Sequence, residues 1–321
     1  MKTIANTITF IGKWNKKCQL KNKINRWLVK LLHTVLIIGI CYIILYPLFV
    51  KFSSAFRHQQ DLYDSSVVWI PRHFTLDNFK DAYKLLNYDR TLANSIILSL
   101  SSAILQVISC SLAGYGFARL KFKGSNLLFG LVIFTIVIPP ETIMVPTYLH
   151  YRFFDVFGIY EFLTGNRGVN ILESFWPFIL SSATGMGMRS GLYIFIFRQF
   201  FKGIPKELEE AAYVDGAGVF TTFARVMLPN AFTAMITVFL FAFVWQWNDY
   251  YYANLYMKSV RVLSTQLAIL PAMSRFVSEE PTYQSLIING GLLLAIAPIF
   301  ILYLFAQKYF VESIERTGLV G

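Results

Sequence analysis

The sequence predicts an all-α, polytopic membrane protein, and three observations carry that prediction. Of its 321 residues, 55% are hydrophobic and only 15% charged, whereas about a quarter of a soluble domain is charged. Thirty Phe and 18 Tyr exclude a disordered chain, which is poor in aromatics. Apolar stretches of about 20 residues, the length a helix needs to cross roughly 30 Å of hydrocarbon, recur along the chain.

Taken in order, residues 1–30 hold eight basic and no acidic residues, a basic N-terminal stretch whose lysines suit anionic lipid. Six spans follow, at 31–50, 94–118, 127–149, 174–197, 226–248 and 281–307. The first is too long for the apolar core of a cleavable leader, although Ser53 and Ala55 are small residues at a cleavable spacing. Between the first two spans, Thr75 can cap a short helix that is expected to lie on the membrane surface. The third span carries Glu141 just after Pro139-Pro140, and the fourth carries Arg189; the others have no charge.

Lys and Arg are retained on the cytoplasmic side of a bilayer. Residues 1–30, the loop after the second span, residues 198–225 and the tail after 307 together hold 17 basic and 6 acidic residues; the alternate loops hold 11 of each. The whole net charge of +11 therefore lies on one face, and both termini are expected in the cytoplasm. That basicity is a topology signal and not a sign of nucleic-acid binding. Cys18, Cys41 and Cys110 have no pairing or metal-ligand spacing, the four His are scattered, and no metal site or catalytic set is expected.

Between the fourth and fifth spans, residues 203–229 read as helix, turn and helix. Pro205 suits a helix start, and Glu207, Glu209 and Glu210 put negative charge near the positive dipole end. Gly216 supplies a left-handed stop, and Phe220, Phe223, Ala224 and Met227 continue at helical spacing to Pro229. Leu208, Ala211 and Ala212 form an apolar stripe. A helix resting on lipid headgroups and a helix docking into another protein both fit this pattern. Three Glu against one Lys favour docking, because interfacial helices are usually basic.

Two further groups stand out. Ala183, Gly187 and Gly191 form a small-residue ridge, with Arg189 about 200° away on a continuous helix, so Arg189 is expected to face a cavity and to pair with Glu141 or meet an anionic cargo. On the fifth span Phe241, Trp245, Asn248 and Tyr252 share a face, where aromatic planes can stack on sugar rings or simply pack.

Glu210-Ala211-Ala212, Gly216 and Val226-Met227-Leu228-Pro229 resemble the EAA loop of the membrane subunits of bacterial ABC importers, with Val226 where Ile is usual. Tyr46-Pro47-Leu48-Phe49, Thr75-Leu76-Asp77-Asn78-Phe79, Ala113-Gly114-Tyr115-Gly116-Phe117-Ala118-Arg119-Leu120, Arg198-Gln199-Phe200-Phe201, Trp247-Asn248-Asp249-Tyr250 and Gln307-Lys308-Tyr309-Phe310-Val311 extend the resemblance to the smaller membrane subunit of maltose-type carbohydrate importers. That resemblance implies the type I importer permease fold over 31–321 and a bacterial plasma-membrane location. It implies import of a sugar or oligosaccharide, with no chemistry on this chain.

The implied partners are a second permease subunit, a cytoplasmic ATPase dimer and an external solute-binding protein, the last probed by the loop 253–280. Glu207, Leu208, Glu210, Ala211, Ala212, Asp215, Gly216 and Pro229 would couple to the ATPase. Glu141, Arg189, Trp245, Asn248 and Tyr252 are the candidates for the path. No phosphate-binding loop precedes the one Gly-Lys pair, Gly12-Lys13, so ATP and its Mg belong on the partner. An importer of a non-sugar solute, or a secondary transporter without an ATPase, is the alternative.

Overall fold

The computed structural model describes residues 2–64, 66–67, 69–156 and 158–318, with side chains described between residues 26 and 308. Most of the basic stretch 1–30 and the Tyr309-Phe310-Val311 segment thus lie outside the described side chains. Among the described residues regular structure is helical, apart from two isolated antiparallel bridges, Arg57 with Phe74 and Phe154 with Val169.

The chain divides into two compact units, Met1–Leu76 and Asp77–Gly321. The first holds α1 (Lys2–Ala55), apolar all round from Arg26 to Ala55, and a short 3-10 turn at Gln59–Tyr63. Asp61 in that turn is buried and accepts the backbone N–H of Arg72 (2.9 Å) and His73 (3.0 Å), closing the loop back on itself.

The second unit is a bundle around α3 (Tyr88–Arg119), which packs against α7 (Trp176–Ala183), α8 (Ser190–Gly203), α12 (Phe232–Trp247) and α14 (Leu263–Ser274). Its buried face carries Ser95, Ser99, Ser102, Gln106, Cys110 and Gly114, while Ile97, Ile104, Ile108 and Leu112 are exposed. Small and polar inside with aliphatic outside is the pattern lipid selects, since helices gain little from burying apolar side chains away from hydrocarbon. Around this centre, α4 (Ser125–Val137) lies on α8, α5 (Pro140–Arg152) meets α13 (Tyr251–Tyr256), and α15 (Pro281–Gly318) packs on α12 and α14. A short α6 (Ile159–Thr164) follows α5.

Among the described residues three helices are long and apolar enough to cross a bilayer: Arg26–Ala55, Tyr88–Arg119 and Pro281–Lys308. The stretch expected as a third span, 127–149, is two helices, α4 and α5, bent by 104°. Pro139-Pro140 accounts for the bend, because proline has no N–H to donate and drives the residue before it out of the helical region. The stretch 174–197 is likewise not one helix. It breaks between Ala183 and Ser190, where Gly185 (φ +70°) and Arg189 (φ +59°) are both left-handed. The 226–248 span starts only at Phe232, because α10 (Val219–Thr222), a π turn at Phe223–Met227 and α11 (Leu228–Asn230) run into α12 at 79°. The helix expected near Thr75 is α2 (Asp77–Leu86), which buries Asn78, Ala82 and Leu86 and packs against α14 and α15.

Candidate functional site

The segment 203–229 folds as a hairpin. Its first helix, α9 (Lys206–Val214), has Pro205 as N-cap residue and ends on Gly216 at φ +82°. The Gly216 N–H donates to Tyr213 O (3.0 Å) and the Ala217 N–H to Ala212 O (2.9 Å). This paired closure needs a left-handed residue at Gly216, where a side chain would be strained.

On the outer side, Glu207, Leu208, Glu210, Ala211 and Asp215 are all exposed. Val214 (87% exposed) and Phe220 (73%) extend that surface around the turn. Ala212 departs from the expected stripe, being buried against the bundle. Pro229 is exposed at the far end, beside the bend into α12. The product is an acidic surface studded with apolar side chains, with no partner within this chain's second unit covering it.

The inner side is polar in an unexpected way. Glu209, which the sequence places as one more charge near the dipole end, is buried. Its Oε1 accepts the hydroxyls of Tyr115 (2.7 Å) and Tyr213 (3.0 Å), and its Oε2 lies 3.5 Å from Arg119 Nε. Both side chains of that ion pair are nearly covered, at 5% and 10% exposure. Arg119 Nη2 also donates to the carbonyls of Phe201 (2.7 Å) and Ile204, at the end of α8. Removing one partner of a buried ion pair costs about 3–5 kcal/mol, because the other charge is stranded.

Close packing brings these groups together. A Cβ on Gly114 would fall 2.5 Å from Phe197 Cβ and 3.0 Å from Arg198 N, so only glycine lets α3 and α8 approach here. Arg198 returns the contact, with its Nε donating to Phe117 O (3.3 Å) and its guanidinium 3.8 Å from the centre of the Phe129 ring. The motifs Ala113–Leu120 and Arg198–Phe201, 80 residues apart in sequence, therefore meet over the hairpin.

The other candidate residues form a looser group. Arg189 is the N-cap residue of α8 and is exposed, its guanidinium 3.5 Å from the centre of the Trp245 ring. Arg189 does not stand 200° from the ridge on a continuous helix, because its left-handed dihedrals interrupt the helix there. The ridge is broken there too: Ala183 is exposed, while Gly187 lies against Gln106 and Ser182 and Gly191 against Val132 and Thr135. Among the described residues Arg189 makes no ion pair with Glu141, which is exposed in the first turn of α5. Nor is the aromatic face one continuous helix. Asn248 caps α12 and gives its side-chain N–H to Val244 O (2.8 Å), while Tyr252 belongs to α13, its hydroxyl 3.5 Å from Pro140 O. The loop 253–280 carries α14, buried at Leu263, Leu270 and Ser274, and leaves Phe276 90% exposed beyond it. Among the described residues no cluster of His, Cys, Asp or Glu is placed to hold a metal.

The family described as binding-protein-dependent transport system inner membrane component matches residues 107–316. A probable starch degradation products transport system permease protein, AmyC of Thermoanaerobacterium thermosulfurigenes, is 27% identical over 84% of this chain and 89% of its own length. The sn-glycerol-3-phosphate transport system permease protein UgpE of Escherichia coli O1:K1 is 28% identical over 90% and 96%. A solved bacterial ABC transporter involved in the import of the acidic polysaccharide alginate superposes with a TM-score of 0.70, at 19% identity, over 88% of this chain and 96% of that one. All three likenesses span both the hairpin and the Arg189 face.

Proposed function

The chain belongs to the family of binding-protein-dependent transport system inner membrane components, and from that premise we propose that it is one membrane half of an ATP-driven importer moving a sugar or oligosaccharide into the cytoplasm. It is a non-enzymatic membrane component of the transport system. In this reading a second permease subunit completes the path, a solute-binding protein delivers cargo, and a cytoplasmic ATPase dimer holds the ATP and Mg. In this reading the chain crosses the membrane six times, and the charge asymmetry favours the cytoplasmic side for both termini and the hairpin.

The observation that carries the proposal is the two-sided hairpin. Its outer face offers Glu207, Leu208, Glu210, Ala211 and Asp215, a surface suited to a groove with basic walls, and its inner face is fixed to the bundle by Glu209. An acidic surface of this kind is repelled by anionic lipid, so a protein is the better occupant. Gly216 and Pro229 bound the segment at its turn and its far end. A photo-crosslinker at Ala211 in the membrane-embedded complex tests this: capture of a nucleotide-hydrolysing subunit is expected, and capture of phospholipid alone contradicts it.

For the path, Arg189, Trp245, Asn248, Tyr252 and Glu141 are the residues we assign. Arg189 stands exposed on the Trp245 ring with no carboxylate partner among the described residues, which favours a role toward cargo over a structural ion pair with Glu141. The runner-up is import of a small non-sugar solute such as a phosphorylated polyol, favoured by the likeness to a glycerol-3-phosphate permease. Uptake of labelled oligosaccharides against glycerol phosphate by vesicles carrying the complex separates the two.

A further inference from the structure

We infer that Tyr115, Arg119 and Glu209 form a latch that makes α3, α8 and α9 one rigid lever; the inference rests on the coupling role proposed for the hairpin. Without such a tie α9 would be joined to α8 only by the two-residue link Ile204-Pro205. A helix held only by this link and by the turn at Gly216 can pivot about them, and a pull on its outer face would be spent in bending there.

The cluster removes that freedom by adding attachments off the link axis. Glu209, one turn into α9, reaches Tyr115 on α3 at 2.7 Å and faces Arg119 on the next turn of α3 at 3.5 Å. Arg119 in turn holds the last carbonyls of α8, at Phe201 and Ile204, so a single guanidinium touches all three elements. Tyr213, one turn beyond Glu209 on α9, closes the group with its own hydroxyl at 3.0 Å. Apolar packing of the same volume is often as stable as a buried ion pair. What the polar cluster adds is a fixed orientation, since each bond constrains distance and angle together. Tyr115, Arg119 and Glu209 are on this account positioning residues, which touch neither cargo nor nucleotide.

The test uses the reconstituted complex of both permease subunits, ATPase and binding protein, and reads ATP hydrolysed per cargo molecule moved. Glu209→Leu removes every bond that Glu209 makes and leaves those of Arg119 to α8, Tyr115→Phe removes one hydroxyl, and Glu209→Gln keeps the acceptor for both tyrosines. Glu209→Leu is expected to leave hydrolysis near the wild-type rate and to lower transport about tenfold, the change that about 1.4 kcal/mol of lost coupling produces. Tyr115→Phe should raise the ratio less, and Glu209→Gln should restore most of it. Where Glu209→Leu fails to assemble, Tyr115→Phe carries the test. Hydrolysis and transport falling together with the amount of complex overturns the latch in favour of a purely structural cluster, and so does an unchanged ratio in every variant. Should the wild-type complex show no ATP-driven uptake, it is the coupling role itself that fails.

Discussion

The two limbs of the 203–230 hairpin are tied to the bundle by different forces. The leading limb, α9, is held by a buried carboxylate, a guanidinium and two tyrosine hydroxyls. The trailing limb, from α10 through the π turn to α11, is held by apolar side chains: Phe223, Met227 and Ala231 are buried, and the Phe223 ring lies 5.1 Å from that of Tyr115. Directional bonds fix distance and angle at each attachment, whereas apolar contacts hold by close packing of shapes. The trailing limb also contains the features that let a helix bend, a π turn in which the Leu228 N–H reaches back to Phe223 O, and Pro229 ahead of the 79° turn into α12. The difference teaches that one limb is built to transmit an orientation and the other to absorb one.

The strongest way to break this contrast is at the turn the limbs share. Gly216→Pro demands φ near −65° where the chain has +82° and deletes the N–H given to Tyr213 O. It should cost about 3 kcal/mol locally and abolish uptake while the ATPase still hydrolyses; normal uptake by this variant would refute the turn's role. Phe223→Ala strikes the apolar anchor of the trailing limb while leaving every hydrogen bond of the leading one in place. Loss of a buried Phe costs about 3–5 kcal/mol, so the yield of assembled complex and its melting temperature should fall, with ATP per cargo unchanged in what does assemble. A raised ratio here would erase the distinction between the limbs.

Arg189→Leu sharpens the contrast from outside the hairpin. Assembly and the Ala211 crosslink should persist, while the cargo concentration for half-maximal uptake rises by about tenfold, the loss of one charged hydrogen bond to cargo. An assembled variant with normal uptake removes Arg189 from the path. The smallest effect is a pH dependence remote from the hairpin. Burial acts to raise the pKa of Glu173, but hydrogen bonds from the Ser259 hydroxyl and amide (each 2.6 Å) and from the Lys258 amide prevail and hold it below the usual carboxylate range. A depressed carboxylate contributes stability that is fully present above its unfolded pKa and is lost as pH falls through the folded one. Thermal scans from neutral to about pH 3 should therefore show a drop that Glu173→Gln flattens, with the coupling ratio at neutral pH unaltered.

Much of this was legible in the sequence because single residues dictate it. Gly216 marks the turn, since few residues other than glycine accept a left-handed helix stop, whereas the apolar window 127–149 conceals the bend that Pro139-Pro140 makes between α4 and α5. Long uniform windows mark α3 and α15, although α3 already begins at Tyr88 and α15 runs on to Gly318, where polar residues hide the helix from hydropathy. The break at 184–189 was hidden because Gly-Met-Gly-Met reads as apolar, and hydropathy is blind to dihedral angles. Glu209 was misread for a related reason. Three glutamates in one turn look alike in sequence, and only the placement of α9 against Tyr115 and Arg119 decides which one turns inward. A signal existed in the spacing: Tyr115 with Arg119 and Glu209 with Tyr213 are each four apart, so each pair shares a helix face.

The most direct test of a rigid leading limb and a yielding trailing one is a pair of spin-label distances in the complete complex, with and without trapped ATP. One pair joins Lys121, at the end of α3, to Glu210 on α9; the other joins Glu210 to Phe241 on α12. The first distance should keep its mean and width while the second shifts. A shift in the first with the second unchanged would contradict the account.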